Sequence, residues 1–183
     1  MKIIKTNIPD VKVIEPDIYQ DERGFFMETW QYRQFGGFGI DYDFVQDNQS
    51  HSKKNTLRGL HYQMAPHVQG KLVRVVQGEV YDVAIDIRRS SSTFKQWVGE
   101  HLSAENRRML WVPPGFAHGF LVLSDFADLL YKCTDYYSPE HECCIRWDDP
   151  DLSIKWPLEN NCTPLLSPKD GRGDSLSSAY IFS

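Results

Sequence analysis

Two stretches concentrate the side chains that can do chemistry: Phe44-Val45-Gln46-Asp47-Asn48, and Thr56-Leu57-Arg58-Gly59-Leu60-His61-Tyr62-Gln63. Arg, His, Gln and Asn together are unusual in strand-like segments, which favour β-branched and aromatic residues. Arg58 offers a fork of donors suited to phosphate or carboxylate. His61 is a base that works near neutral pH. Taken alone, His61 also fits a satisfied polar network beneath a loop.

A third stretch, Val112-Pro113-Pro114-Gly115-Phe116-Ala117-His118-Gly119-Phe120, carries a Pro-Pro-Gly turn that delivers His118 to the start of an apolar strand. Its P-x-G-x-x-H pattern resembles the second motif of cupins, small jelly-roll proteins that often bind a metal through three His and one Glu. The matching first motif, His61-Tyr62-Gln63, holds one His, and Met64-Ala65-Pro66-His67 adds no Glu. Two credible ligands make a weak first-row metal site, so a site without metal or cofactor is expected. Lys71 opens a strand from which its ammonium can project into a cavity. Tyr131 and the Ser167-Pro168-Lys169-Asp170 segment complete the set. Singly, these also read as a snorkelling lysine, a core tyrosine with its hydroxyl at the rim and a surface turn.

The apolar pattern that must position these groups has mostly period two. In residues 80–87, Tyr81, Val83, Ile85 and Ile87 share one face, and Asp82 and Asp86 share the other with Ala84 between them. Those two acids either line a cavity or face water, and the surface reading is favoured because acids are seldom buried. Residues 71–87 read as a hairpin turning at Gln77-Gly78. Similar runs occur at 25–30, 44–49, 56–62, 97–102, 109–112, 119–123 and 129–134. Many short strands at this spacing predict an all-β jelly roll or sandwich, as a single domain over residues 1–183. Ser103 is placed to cap one helical turn over 103–106. Gly36-Gly37-Phe38-Gly39 lacks the Lys-Ser/Thr of a phosphate loop and reads as a flexible turn. The tail after Pro157 is expected to wrap over the surface.

The 183 residues hold 20 Lys+Arg against 25 Asp+Glu, a formal charge of −5. That balance argues against a nucleic-acid binder and leaves room for a small anionic ligand. No apolar run approaches a membrane span, and Met1-Lys2-Ile3-Ile4-Lys5 does not open a signal peptide. Cys133, Cys143, Cys144 and Cys162 form no C-x-x-C pair and are expected to be reduced, mostly buried thiols of a cytoplasmic protein. Asn48-Gln49-Ser50 and Asn161-Cys162-Thr163 fit the glycosylation sequon, and Arg172-Gly173-Asp174 an adhesion tripeptide. Matches this short recur by chance, and a cytoplasmic chain is not glycosylated.

Taken together, Gln46-Asp47-Asn48, Leu57-Arg58-Gly59-Leu60-His61-Tyr62-Gln63, Gly70-Lys71-Leu72-Val73, the 113–120 segment, Tyr131-Lys132-Cys133-Thr134-Asp135-Tyr136-Tyr137 and Ser167-Pro168-Lys169-Asp170 resemble the dTDP-4-dehydrorhamnose 3,5-epimerase family. The resemblance runs from about Val11 to Leu176. It implies a metal-free cupin jelly roll, usually a homodimer, that inverts C3 and C5 of a dTDP-4-keto-6-deoxy sugar on the route to dTDP-L-rhamnose. It assigns His61 as base, Asp170 as its orienting carboxylate, Lys71 beside the enolate and Tyr131 as acid. Substrate contacts map onto Arg23, Glu28, Gln46, Asn48, Arg58, His118, Glu142 and Lys169, with Phe26 and Tyr137 sandwiching the thymine. Relatives that invert only one centre, a non-catalytic sugar-nucleotide binder and a metal-dependent cupin remain alternatives. Arg58 and His61 are an odd number apart and so point to opposite faces of a regular strand. Either a bulge intervenes or one acts at a strand end. Arg23 and Phe26 are the residues expected to reach a partner subunit.

Overall fold

The computed structural model describes residues 1–159 and 162–183, so the Asn161 sequon lies outside the described residues. Alternation of apolar and polar residues builds two antiparallel sheets. The first has the order β1 (Lys2–Lys5), β2 (Lys12–Glu15), β10 (Met109–Val112), β7 (Lys71–Gln77), β12 (Phe126–Cys133) and β5 (Gln46–Lys53). The second has the order β13 (Glu142–Cys144), β6 (Leu57–Gln63), β11 (Phe116–Val122), β8 (Glu79–Asp86) and β9 (Trp97–Ser103). A separate hairpin joins β3 (Tyr19–Asp21) to β4 (Gly24–Phe26). This is the expected all-β jelly roll, whose facing sheets interdigitate their inward side chains. No helix of the described residues is long and apolar enough to cross a membrane.

Val73, Val75, Leu110, Leu129, Val80, Ala84, Phe116, Phe120 and Val122 fill the space between the sheets. The same inward faces then turn polar along their length. Val75 and Val73 give way to Lys71 on β7, and Ala127 and Leu129 to Tyr131 on β12. The apolar core thus continues into a polar cavity without a change of strand.

Both outer faces are covered. On the first sheet, Ile14, Leu72, Met109 and Trp111 pack against Phe35, Ile40, Trp30 and Phe44 around α1 (Tyr32–Gly37). The sequence reading missed this helix. Gln31 caps it by accepting from the Gln34 amide at 2.6 Å, and Gly36-Gly37 forms its last turn rather than a free loop. On the second sheet, Val83, Ile85 and Tyr81 are sheathed by Ile145, Leu152, Trp156, Leu176, Ile181 and Phe182. The tail therefore wraps the surface as expected. It is pinned by the Tyr62 hydroxyl donating to the Tyr180 carbonyl at 2.7 Å and the Trp97 indole donating to that of Leu152 at 3.1 Å.

Several local expectations need correcting. Asp82 and Asp86 are both fully buried, because their face of β8 looks between the sheets. Ser103 to Asn106 is a tight turn held by reciprocal side-chain bonds, not a helical turn: Ser103 Oγ accepts from the Asn106 amide and Asn106 Oδ1 from the Ser103 amide. The run 25–30 contributes only the short β4. All four cysteines are free, but only Cys133 is buried; Cys143 and Cys144 are half-buried and Cys162 is exposed.

The parity problem in β6 is resolved by a bulge. His61 pairs with His118 on β11, while Arg58 pairs with Phe120, so Gly59 and Leu60 on β6 oppose Gly119 alone on β11. The extra residue is accommodated at Gly59, whose φ is +127°. A Cβ there would lie 2.6 Å from the Gly119 Cα and 2.8 Å from the His118 carbonyl oxygen. Gly59→Ala is therefore expected to destabilise the protein by about 2 kcal/mol or more. Urea unfolding measures it, and a wild-type midpoint would show that the backbone has room to spare.

Candidate active site

Strands from both sheets line the cavity, which consists of two adjoining lobes of about 280 and 220 Å³ sharing His61, Lys71, Tyr131 and Glu142. From the first sheet, β5 supplies Gln46, Asn48 and Ser50, β7 supplies Lys71, and β12 supplies Tyr131 and Cys133. From the second, β6 supplies Arg58 and His61, β11 supplies His118 and β13 supplies Glu142. His61 and Tyr131 thus stand on opposing walls.

His61 is held from behind. Its Nε2 lies 2.6 Å from Asp170 Oδ1, and Asp170 is 3% exposed, in a 3-10 turn 109 residues later in the chain. Asp170 also accepts from the Gly59 amide at 3.1 Å and from the Ser167 hydroxyl. Burial pushes its carboxyl pKa up, but the bonds from His61, Ser167 and Gly59 outweigh that and hold it down at about 2. An ionised carboxylate only accepts hydrogen bonds, so a neutral His61 carries its proton on Nε2 and leaves the Nδ1 lone pair free. Burial pushes the His61 pKa below its ordinary value, opposed by the Asp170 bond and reinforced by the charge of Lys71.

Lys71 makes no hydrogen bond or ion pair among the described residues. Burial lowers its pKa, against the pull of Cys133, Glu142 and Asp82. Burial likewise raises that of the Tyr131 phenol, which keeps it a proton donor. At the rim, Glu142 accepts from Lys169 Nζ at 2.6 Å and from the Tyr137 hydroxyl at 2.8 Å. Gln46 donates to Asn48 at 3.0 Å and accepts from the Tyr137 amide at 2.8 Å. Arg58 donates from Nε to Ser52 Oγ at 3.0 Å. His118 Nε2 lies 2.8 Å from buried Asp82.

The cavity thus gathers Gln46, Asn48, Arg58, His61, Lys71, His118, Tyr131, Tyr137, Glu142 and Lys169, with Asp170 behind His61. It does not gather Arg23, Phe26 or Glu28. Arg23 and Phe26 line a separate surface hollow on the β3–β4 hairpin, Phe26 is 66% exposed, and Glu28 is exposed beyond the hairpin. Sequence reasoning missed Ser50, Gln69, Cys133 and Phe120 on the walls. A signal existed for Ser50. Gln46, Asn48, Ser50 and Ser52 share the inward face of β5, and an inward face made wholly of polar residues marks a site. The groups suited to a metal are His61, Cys144 and Asp170, whose ligand atoms lie within 4.8 Å of one another. A cation there would compete with the bonds Asp170 already makes.

A neutral His61 at pH 7 sets a sign. kcat/KM is expected to hold as pH falls to about 6.5 and to drop only below it, because the imidazole must gain a proton for the base to be lost. Asp170→Asn removes a contribution that raises the His61 pKa. It is expected to move that limb to lower pH and to cut kcat by about 10²- to 10⁴-fold. A pH–rate profile with a limb above pH 7, or a fully active Asp170→Asn protein, would contradict this arrangement.

Comparison with known proteins gives a consistent result. The family model described as dTDP-4-dehydrorhamnose 3,5-epimerase matches residues 5–178. The chain is 55% identical to the dTDP-4-dehydrorhamnose 3,5-epimerase of Pseudomonas aeruginosa over 183 residues, covering 100% of this chain and 99% of that one. Its fold is similar to the crystal structure of the dTDP-6-deoxy-D-glucose-3,5-epimerase of Legionella pneumophila in complex with dTDP-4-keto-L-rhamnose. That match has a TM-score of 0.93 at 56% identity over 97% of this chain and 93% of that one. It is also similar to a 3'-monoepimerase from Streptomyces bikiniensis in complex with dTDP-quinovose, with a TM-score of 0.87 at 34% identity over 94% of this chain and 87% of that one.

Proposed function

The chain belongs to the dTDP-4-dehydrorhamnose 3,5-epimerase family, and on that premise we propose how its own residues perform the reaction. It is an isomerase that converts dTDP-4-dehydro-6-deoxy-D-glucose into dTDP-4-dehydro-L-rhamnose, in dTDP-L-rhamnose biosynthesis. The observation that carries the proposed roles is the placement of His61 and Tyr131 on facing sheets across one cavity, with Lys71 in the same lining on β7, the strand beside that of Tyr131.

The C4 ketone acidifies the hydrogens at C3 and C5. His61 Nδ1 takes one of these protons, and the C–H electron pair moves onto the C4 oxygen as an enolate. The Lys71 ammonium stabilises that oxygen in a cavity of reduced dielectric. Tyr131 then delivers its phenolic proton to the carbon from the opposite face, the ketone re-forms and the centre is inverted. The gain of a proton by His61 and its loss by Tyr131 cancel. Asp170 balances the imidazolium while it exists.

Arg58 and Lys169 neutralise the diphosphate, and Lys169 leaves Glu142 to do so. Gln46, Asn48 and Tyr137 hold the nucleoside. Arg23, Phe26 and Glu28 serve the cavity of a second copy in a homodimer, the β3–β4 hairpin carrying Arg23 and Phe26 across. What supports this is the hairpin's exposed apolar surface, with Tyr19, Phe25 and Phe26 all open. Exposed apolar surface of this kind marks a contact site for a partner. We place the protein in the cytoplasm, where four free thiols persist.

In deuterated water, proton NMR is expected to show deuterium at both C3 and C5 of the sugar. Incorporation at one position alone would make the enzyme a single-centre epimerase, like the Streptomyces bikiniensis relative. Crossing of the hairpin has its own test. His61→Ala and Arg23→Ala proteins, each inactive, are expected to regain activity when refolded together, because a mixed dimer then holds one intact site. No recovery, or a monomer by light scattering, would place Arg23 elsewhere.

A further inference from the structure

The cavity holds a second imidazole–carboxylate pair. His118 and His61 face each other as paired residues of β11 and β6. Each has Nε2 within 2.8 Å of a buried Asp, with Asp82 behind His118 and Asp170 behind His61. Asp82 comes from β8, where its inward neighbours are Val80 and Ala84.

The two buried acids of β8 are not equivalent. Both oxygens of Asp86 are engaged, by Arg88, Ser91 and Thr93, and Arg88 supplies the counter-charge. That acid closes the loop after β8. Asp82 is 0% exposed and has one partnered oxygen, while its Oδ2 is buried without a hydrogen bond among the described residues. A half-satisfied carboxylate in an apolar interior is a net cost to folding. A leucine there would continue the face of Val80 and Ala84 without that cost, so packing does not account for the acid. Its position does. Asp82 holds His118, which lines the lobe that also contains His61, Lys71 and Tyr131. Its charge also bears on the Lys71 ammonium, which has no partner of its own among the described residues.

We propose that Asp82 is a positioning residue for the epimerisation: it fixes the His118 ring with Nε2–H donated to β8, so that the Nδ1 lone pair is the one left for the sugar. Asp82 touches no substrate and acts through His118. The inference rests on the epimerase reading above. It adds that the second imidazole of the cavity, like the first, has its tautomer set by a buried carboxylate.

The test has two arms. On the wild-type protein without substrate, nitrogen-15 NMR of labelled histidine is expected to show His118 protonated at Nε2 and bare at Nδ1 when neutral. The opposite tautomer overturns the proposal, whatever the protein's activity. In the kinetic arm, Asp82→Asn keeps the volume but replaces a charged, acceptor-only carboxylate with a neutral amide that can also donate. It is expected to lower kcat at least about tenfold while leaving KM within about twofold. The Asp82→Asn/His118→Asn double variant is expected to be no slower than His118→Asn alone, because residues acting as one unit do not add. Multiplicative losses, or an Asp82→Asn protein with wild-type kcat, overturn it. If wild-type protein exchanged neither C3 nor C5, the activity reading would fail instead, and the tautomer measurement would still decide the orientation.

Discussion

The close approach of two backbone segments at Gly59 and Gly119 governs the site. With no side chain on either residue, β6 can carry one extra residue against β11. That extra residue turns Arg58 onto the same wall as His61. It also aims the Gly59 amide at Asp170, the carboxylate bonded to His61. A guanidinium, an imidazole and the carboxylate behind that imidazole therefore share one local distortion. Bulges of this kind commonly re-aim side chains beside active sites. Here the distortion replaces the alternation that would otherwise send Arg58 to the far side.

The remaining architecture separates stability from function. Between the sheets, the cavity end is polar and half-satisfied, with an unpaired ammonium and a carboxylate lacking one partner. The stabilising burial lies in the rest of the interior and in two outer clusters, one beneath α1 and one beneath the tail. Both sheets are thus braced from outside, which lets their inner faces tolerate groups that a simple sandwich would exclude. Tyr62 shows the division within one strand: its side chain joins the outer cluster while adjacent His61 serves the cavity.

The long strands were legible because their period-two pattern is strong. β1, β2, β3 and β13 were not, because three or four residues carry too little alternation to read, whereas the equally short β10 is apolar throughout. α1 was missed because its six residues include two glycines. Asp82 and Asp86 were read as surface acids from the general rarity of buried charge, which fails where a strand's polar face looks inward. The bulge was visible only as an odd spacing between Arg58 and His61; that something had to intervene could be inferred, but not Gly119 as the partner contact. Asp170 sits 109 residues from His61. No spacing rule links the two, and only the family resemblance joined them. Arg23, Phe26 and Glu28 came from the same resemblance, and a single chain does not bring them to the cavity.

The placement of Asp170 late in the chain has a consequence for synthesis. Both sheets are complete once residue 144 has been made, yet the carboxylate bonded to His61 arrives with the segment that then closes over the second sheet. A polypeptide released before that point has its cavity walls but an unaligned base. Residues lead from the ribosome in order, N-terminal first, so the cavity walls are made before the carboxylate that sits behind His61.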